Sequence, residues 1–170
     1  MEQPNWHDKA EVKKGDKGEE IVTDMLDKQG YIIYKPITDG AHVIDRFSCK
    51  KNQIWELSAV EIKTKKRMWK YEKTGFDINA YYNYTNLKER NNMDTHVYFV
   101  DDFEEYIYSA WLSQLTGATE IGSVIVWDLS QMKIERKLTE DELKEIRQNS
   151  KKDKYDYSNV KKYFGDISFT

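Results

Sequence analysis

Apolar positions recur at helical spacing at Ile21, Val22, Met25 and Leu26, between the polar run Lys13-Lys14-Gly15-Asp16-Lys17-Gly18 and Gly30, which predicts a helix there. Extended patterns follow. Tyr31-Ile32-Ile33-Tyr34 reads as a short strand ended by Pro36, and Asp39-Gly40 as a turn. Val43, Asp45 and Phe47 alternate on one side of the next strand. A polar turn at Cys49-Lys50-Lys51-Asn52 leads to a returning strand through Ala59-Val60-Glu61-Ile62-Lys63-Thr64-Lys65. There Val60 and Ile62 alternate with Glu61 and Lys63, the period of a strand that buries one face and offers the other.

Further on, Asp77 or Asn79 caps a helix carrying Tyr81, Tyr82, Tyr84 and Leu87, which runs out near Asn91-Asn92. The apolar run 96–100 fits a central strand covered on both faces. Residues 106–108 add a strand, 109–115 a short helix before Gly117, and 124–129 another strand. Thr139, followed three residues later by Glu142, forms a capping-box pattern and opens a helix. The expectation is one domain over 1–170 with a core from about 15 to 130, while 1–12 and 150–170 are peripheral or mobile. Trp6 in the first segment, and Tyr155, Tyr157, Tyr163 and Phe164 in the last, are docking candidates.

Composition narrows the class. With 39% hydrophobic and 14% aromatic residues the chain is globular rather than disordered. Its net charge of −3 supplies no global field for a polyanion, so nucleic acid must be met by a local basic patch. The single Cys49 cannot form an internal disulfide, and neither a signal peptide nor a membrane-length apolar stretch is visible; the expected compartment is the cytoplasm. Three histidines, His7, His42 and His96, are too scattered for an imidazole metal site. Nucleotide-binding and acyl-transfer loop motifs are absent, so no nucleotide cofactor is expected.

The chemistry gathers in the hairpin. Glu61 and Lys63 point the same way, and the fifteen residues between Asp45 and Glu61 are enough for a strand, turn and strand that return one carboxylate to the other. Two carboxylates and an ammonium on one exposed face suit a hard divalent cation and a phosphate, because Mg²⁺ takes few protein oxygens and keeps several waters. Glu19 falls at the edge of the first helix's apolar face and could look toward this site, or it could simply complement the helix dipole. Asp39 is a second candidate carboxylate, although its place before glycine suits turn chemistry, and His42 reads as a polar strand residue. After the strand come Lys65, Lys66, Arg67, Lys70 and Lys73, joined by Lys88 on the next helix and interleaved with Trp69 and Tyr71. Cations that meet phosphates and rings that stack on bases make a backbone-tracking surface; the bland alternative is a solvated loop with two aromatics tucked inward.

Asp45, then Glu61-Ile62-Lys63 on an apolar strand, preceded by an acidic helix and followed by a helix and an apolar strand, resembles the signature of the PD-(D/E)xK nuclease superfamily over residues 15 to 101. The resemblance implies an α/β fold with a central mixed β-sheet flanked by helices, the restriction-endonuclease-like core. It implies a Mg²⁺- or Mn²⁺-dependent phosphodiesterase acting on nucleic acid, DNA in the first instance. Asp45, Glu61 and the carbonyl of Ile62 would hold the metal, Glu19 would assist, and Lys63 would orient water or stabilise the transition state. Ile44 stands where the nominal pattern has proline. Cutting two strands together would require a homodimer. The alternatives are a non-catalytic member of the same fold that binds nucleic acid or protein, and an interaction protein of a mobile element.

Overall fold

The computed structural model describes residues 9–37, 44–68 and 72–148. Asp39, His42, Val43, Trp69, Lys70, Tyr71, Trp6 and the aromatic residues beyond 148 lie outside the described residues. Helix α1 (Ala10–Lys28) starts well before the expected position, and Gly15 and Gly18 lie inside it. Gly18 is kept because α1 presses on the central sheet: a Cβ there would stand 1.7 Å from Thr64 Oγ1. Ile21, Val22, Met25 and Leu26 are its buried face, as their spacing predicts.

Strands β1 (Tyr31–Tyr34), β2 (Arg46–Lys50) and β3 (Gln53–Thr64) form an antiparallel meander. The expected basic loop is in its second half a strand, β4 (Lys73–Asp77). Next comes α2 (Ile78–Asn91), capped by Asp77, whose Oδ1 accepts the Asn79 N–H at 2.8 Å, and ended by left-handed Asn92 at φ 52°. Strand β5 (Thr95–Asp101) then runs parallel to β3, and β6 (Tyr106–Trp111) returns antiparallel. The helix expected over 109–115 is not formed. Trp111, Ala110 and Ser109 pair with His96, Val97 and Tyr98, leaving one 3₁₀ turn at Leu112–Gln114. Two short strands went unread, β7 (Thr119–Ile121) and β9 (Lys133–Lys137), on either side of β8 (Val124–Asp128). Helix α3 (Glu140–Gln148) opens with the expected capping box: Thr139 Oγ1 accepts the Glu142 N–H, and Glu142 Oε2 accepts the Thr139 N–H.

The fold is α/β, with a central six-stranded mixed sheet in the order β1-β2-β3-β5-β6-β9 and helices flanking it. The expected helix, strand, strand, helix, strand order is present, with β1 and β4 added. One face packs Val60, Ile62, Tyr98, Val100 and Ile107 against α1 and α3. Leu138, Leu143 and Ile146 join this cluster, so the core runs past the expected boundary near residue 130. The opposite face meets a second sheet, β4-β8-β7, together with α2, through Phe76, Tyr84, Val97, Ile125 and Trp127. Among the described residues no helix is long and apolar enough to cross a membrane.

Gly75 tests how closely the second sheet is built. A Cβ there would lie 1.8 Å from the Ile125 carbonyl oxygen and 2.7 Å from Val126 Cα, backbone atoms that cannot rotate away. Gly75→Ala should cost about 1–3 kcal/mol in urea unfolding, as overpacking does. Gly15→Ala, with no atom within 4 Å of its Cβ, should instead stabilise by about 0.5–1 kcal/mol through helix propensity. Equal effects at the two positions would sink this account of the packing.

Candidate active site

Asp45 sits at the bend just before β2 rather than within a strand. From there its Oδ2 accepts the backbone N–H of Ile62 at 2.7 Å, which ties the start of β2 to the middle of β3. Thus the hairpin does bring Asp45 to the Glu61-Ile62-Lys63 segment. Arg46 links in the helix: its guanidinium donates to the Asp45 carbonyl at 2.7 Å and pairs with Glu19 Oε2 at 2.9 Å. Glu19 therefore faces inward, while Glu20 is exposed and pairs with Lys17.

The face that carries Glu61 is not open, contrary to the expectation. Glu61 is only 2% exposed. Strand β3 lies inside the sheet beside β5, and the second sheet and α2 cover the side that alternation suggested was free. Lys63 Nζ bonds Glu61 Oε1, and the Tyr84 hydroxyl on α2 donates to Glu61 Oε2. Lys63 itself keeps 38% of its side chain exposed, so the ammonium stands between the buried carboxylate and solvent.

Burial dominates the electrostatics. It pushes the Glu61 carboxyl up to about 7, with the Asp45 charge adding to the rise and Lys63 and Tyr84 opposing it. Glu19 is raised as well, first by burial and then by Asp45, with Arg46 compensating in part. Burial lowers the pKa of Lys63, but the charges of Glu61 and Asp45 outweigh it and the net shift is upward. The charge of Asp45 thus disfavours ionisation of both Glu19 and Glu61, after burial in each case.

The basic stretch behaves differently from a uniform phosphate surface. Lys65 donates to the Gly75 carbonyl in β4, and burial, helped by Lys63, lowers its pKa to about 8. Arg67 donates to Asp101 Oδ2 at 2.9 Å and to the Tyr108 hydroxyl at 3.0 Å. Asp101 is fully buried. These two cations fasten the stretch to the body, because buried carboxylates and carbonyls take donors before solvent-facing anions can. Met68 bridges Lys73, and Trp69, Lys70 and Tyr71 lie outside the described residues. Lys73 is within 3.4 Å of Thr119 Oγ1 at the surface, and Lys66 is half-buried.

Tyr84 is the site residue that sequence reasoning missed. Tyrosines on a helix face suit packing, with a hydroxyl that could reach a phosphate; Tyr84 does pack edge-on against Phe76, and its hydroxyl reaches Glu61. Nothing local marks it among its neighbours, since the contact bridges 23 residues and a crossover.

No family model matches the chain, and no curated protein matches it. Among solved structures it is similar to Archaeoglobus fulgidus Hjc, a Holliday junction resolvase from an archaeal hyperthermophile. The TM-score is 0.48 at 12% identity, covering 69% of this chain and 90% of that one.

Two predictions follow from the burial of charge. The Glu61 carboxyl holds its proton up to about pH 7 when folded but only to its ordinary value of 4.5 when unfolded, so stability present below pH 4.5 is lost as pH rises through 7. In metal-free buffer Glu61→Gln should be more stable than the parent by on the order of 2–3 kcal/mol at pH 8 and nearly equal at pH 5. Parallel pH profiles of urea unfolding would contradict this. Arg67→Ala strips a buried carboxylate of its cation and should lower stability by about 3–5 kcal/mol in the same experiment. A loss under 1 kcal/mol would show that Arg67 does not anchor the stretch.

Proposed function

We propose that the chain is a divalent-metal-dependent nuclease that hydrolyses phosphodiester bonds of nucleic acid, DNA in the first instance. The observation that carries this reading is the junction at which Asp45, bonded to the Ile62 N–H, adjoins Glu61 with Lys63 at its rim. The donor set fits Mg²⁺ or Mn²⁺. Among the described residues no three Asp, Glu, His or Cys side chains form a ready metal cluster. Mg²⁺ sites are nevertheless commonly made of one or two carboxylates, waters and substrate oxygens, and the upward shifts of Glu19 and Glu61, to which the Asp45 charge adds after burial, include negative charge that a cation would relieve.

In this reading Asp45, Glu61 and the Ile62 carbonyl hold the metal, and Glu19 assists directly or through water. A bound ion would supply a water of lowered pKa and would neutralise charge on the phosphate. Lys63, already poised between Glu61 and solvent, orients the nucleophile or meets the charge that develops in the transition state. Lys65 and Arg67 serve the fold in this reading, and Lys66, Lys70 and Lys73 are assigned to phosphates, with Trp69 stacking on bases. The whole chain, 1–170, works as one domain, and a homodimer would be needed to cut two strands together.

A non-catalytic member of the fold that binds nucleic acid is the second reading. It is favoured by one observation: both Glu61 oxygens already have protein partners, Lys63 and Tyr84. A panel of labelled duplex, single-stranded and branched DNA and RNA, incubated with Mg²⁺ or Mn²⁺ and with chelator controls, separates the two. The parent should cleave, and Asp45→Ala should lose both cleavage and the thermal shift that millimolar Mn²⁺ gives the parent. Lys63→Ala should lower the single-turnover rate on the order of 10²–10³-fold with little change in substrate affinity. Lys63→Arg should restore it only in part, because a planar guanidinium places its donors differently. Binding without metal-dependent cleavage would select the second reading, and neither activity would exclude both.

A further inference from the structure

Glu61 is held from two sides by very different groups. Lys63 reaches Oε1 on a flexible four-carbon stem whose side chain is 38% exposed. Tyr84 reaches Oε2 from α2 and is 1% exposed. Its ring is locked edge-on against Phe76, with centroids 5.9 Å apart and planes at 85°. Phe76 in turn lies 5.5 Å from the ring of buried Trp127. The hydroxyl's position is set by the packing of its ring, whereas the ammonium rides on a stem of four rotatable bonds.

Both partners bond Glu61 in the absence of substrate. A carboxylate offers about four lone-pair directions, and two are taken. If Lys63 serves the substrate phosphate, its bond to Oε1 must weaken or break when substrate arrives. Tyr84 is then the remaining group of the pair that fixes the carboxylate's rotation about its terminal bond. A ligand whose orientation is left loose binds its ion weakly, and groups that orient ligands typically contribute 10–100-fold in metal affinity or activity. We infer that Tyr84 is a positioning residue, which fixes the orientation of the Glu61 carboxylate for a divalent cation while Lys63 is released to the phosphate. This rests on the nuclease reading of the same site, and it places part of the site on the crossover helix, outside the hairpin that carries the sequence motif.

The test is the Mn²⁺ dependence of cleavage by Tyr84→Phe, which keeps the ring against Phe76 and removes only the hydroxyl. Mn²⁺ affinity, measured by calorimetry and by the metal titration of the single-turnover rate, should fall 10–100-fold. Saturating Mn²⁺ should restore the rate to within a few-fold of the parent, and KM for the nucleic acid should be unchanged. Loss of packing alone would not be rescued by metal. Circular dichroism and thermal unfolding establish that the variant is folded, and Tyr84→Met, which fills the site without a donor, provides the same readout should Tyr84→Phe not fold. Unchanged metal affinity, or a rate loss that saturating Mn²⁺ leaves in place, overturns the role of Tyr84. A parent protein that neither binds Mn²⁺ nor cleaves overturns the nuclease reading, a different result from an active parent with an equally active Tyr84→Phe.

Discussion

The parallel pairing of β3 with β5 is the constraint from which the rest of this structure follows. Antiparallel neighbours can be joined by a tight turn, but parallel ones need a crossover of a dozen residues or more. Here that crossover runs from Lys65 through β4 and α2, and it lies on the face of the sheet opposite α1 and α3. Once it is there, Val97 and Phe76 have a partner layer and Glu61 has a roof. The burial of that carboxylate is thus a consequence of topology. Its proton affinity, raised to about 7, follows from the burial.

A charged group placed in the interior has to be compensated, and the compensation determines the shape of the site. Lys63 and Tyr84 each bond one oxygen of Glu61, and Asp45 is held next to them by the Ile62 N–H. Arg46 draws Glu19 in from α1, so three elements contribute to one acidic group. The same accounting explains the stretch beyond β3. Lys65 and Arg67 are near enough to buried acceptors to be captured by Gly75 and Asp101, and become struts for the crossover. A run of positive charge in a sequence thus divides in space into cations that hold the fold and cations that face outward.

Much of the fold could be read from local pattern. The apolar spacing of α1, the capping box of α3, the Asp77 cap of α2 and the continuous apolar run of β5 each express short-range physics, complete within a turn or two of chain. The errors fall where long-range pairing decides. Ser109-Ala110-Trp111 carries no strong preference of its own and becomes strand because β5 offers an unpaired edge to it. Lys133–Lys137 is so polar that only its place at the sheet's margin makes it a strand, and charge there discourages further pairing. Helix α1 continues through Gly15 and Gly18 because its close approach to Thr64 outweighs the glycines' poor propensity.

By itself the sequence determined that Asp45, Glu61 and Lys63 would be neighbours, since one hairpin and a two-residue period are enough to bring them together. It also placed Glu19 at the edge of the apolar face of α1 by the 3.6-residue period, and the pair with Arg46 turned it inward. Only the tertiary structure decided that Glu61 would be buried rather than open, and that Tyr84 would be the residue to meet it. It likewise decided that Lys65 and Arg67 would be spent on the protein's own acceptors. The reason is physical: alternation reports which side chains share a face, but what covers that face depends on a crossover dozens of residues away, and burial and its electrostatic consequences are set by the covering layer.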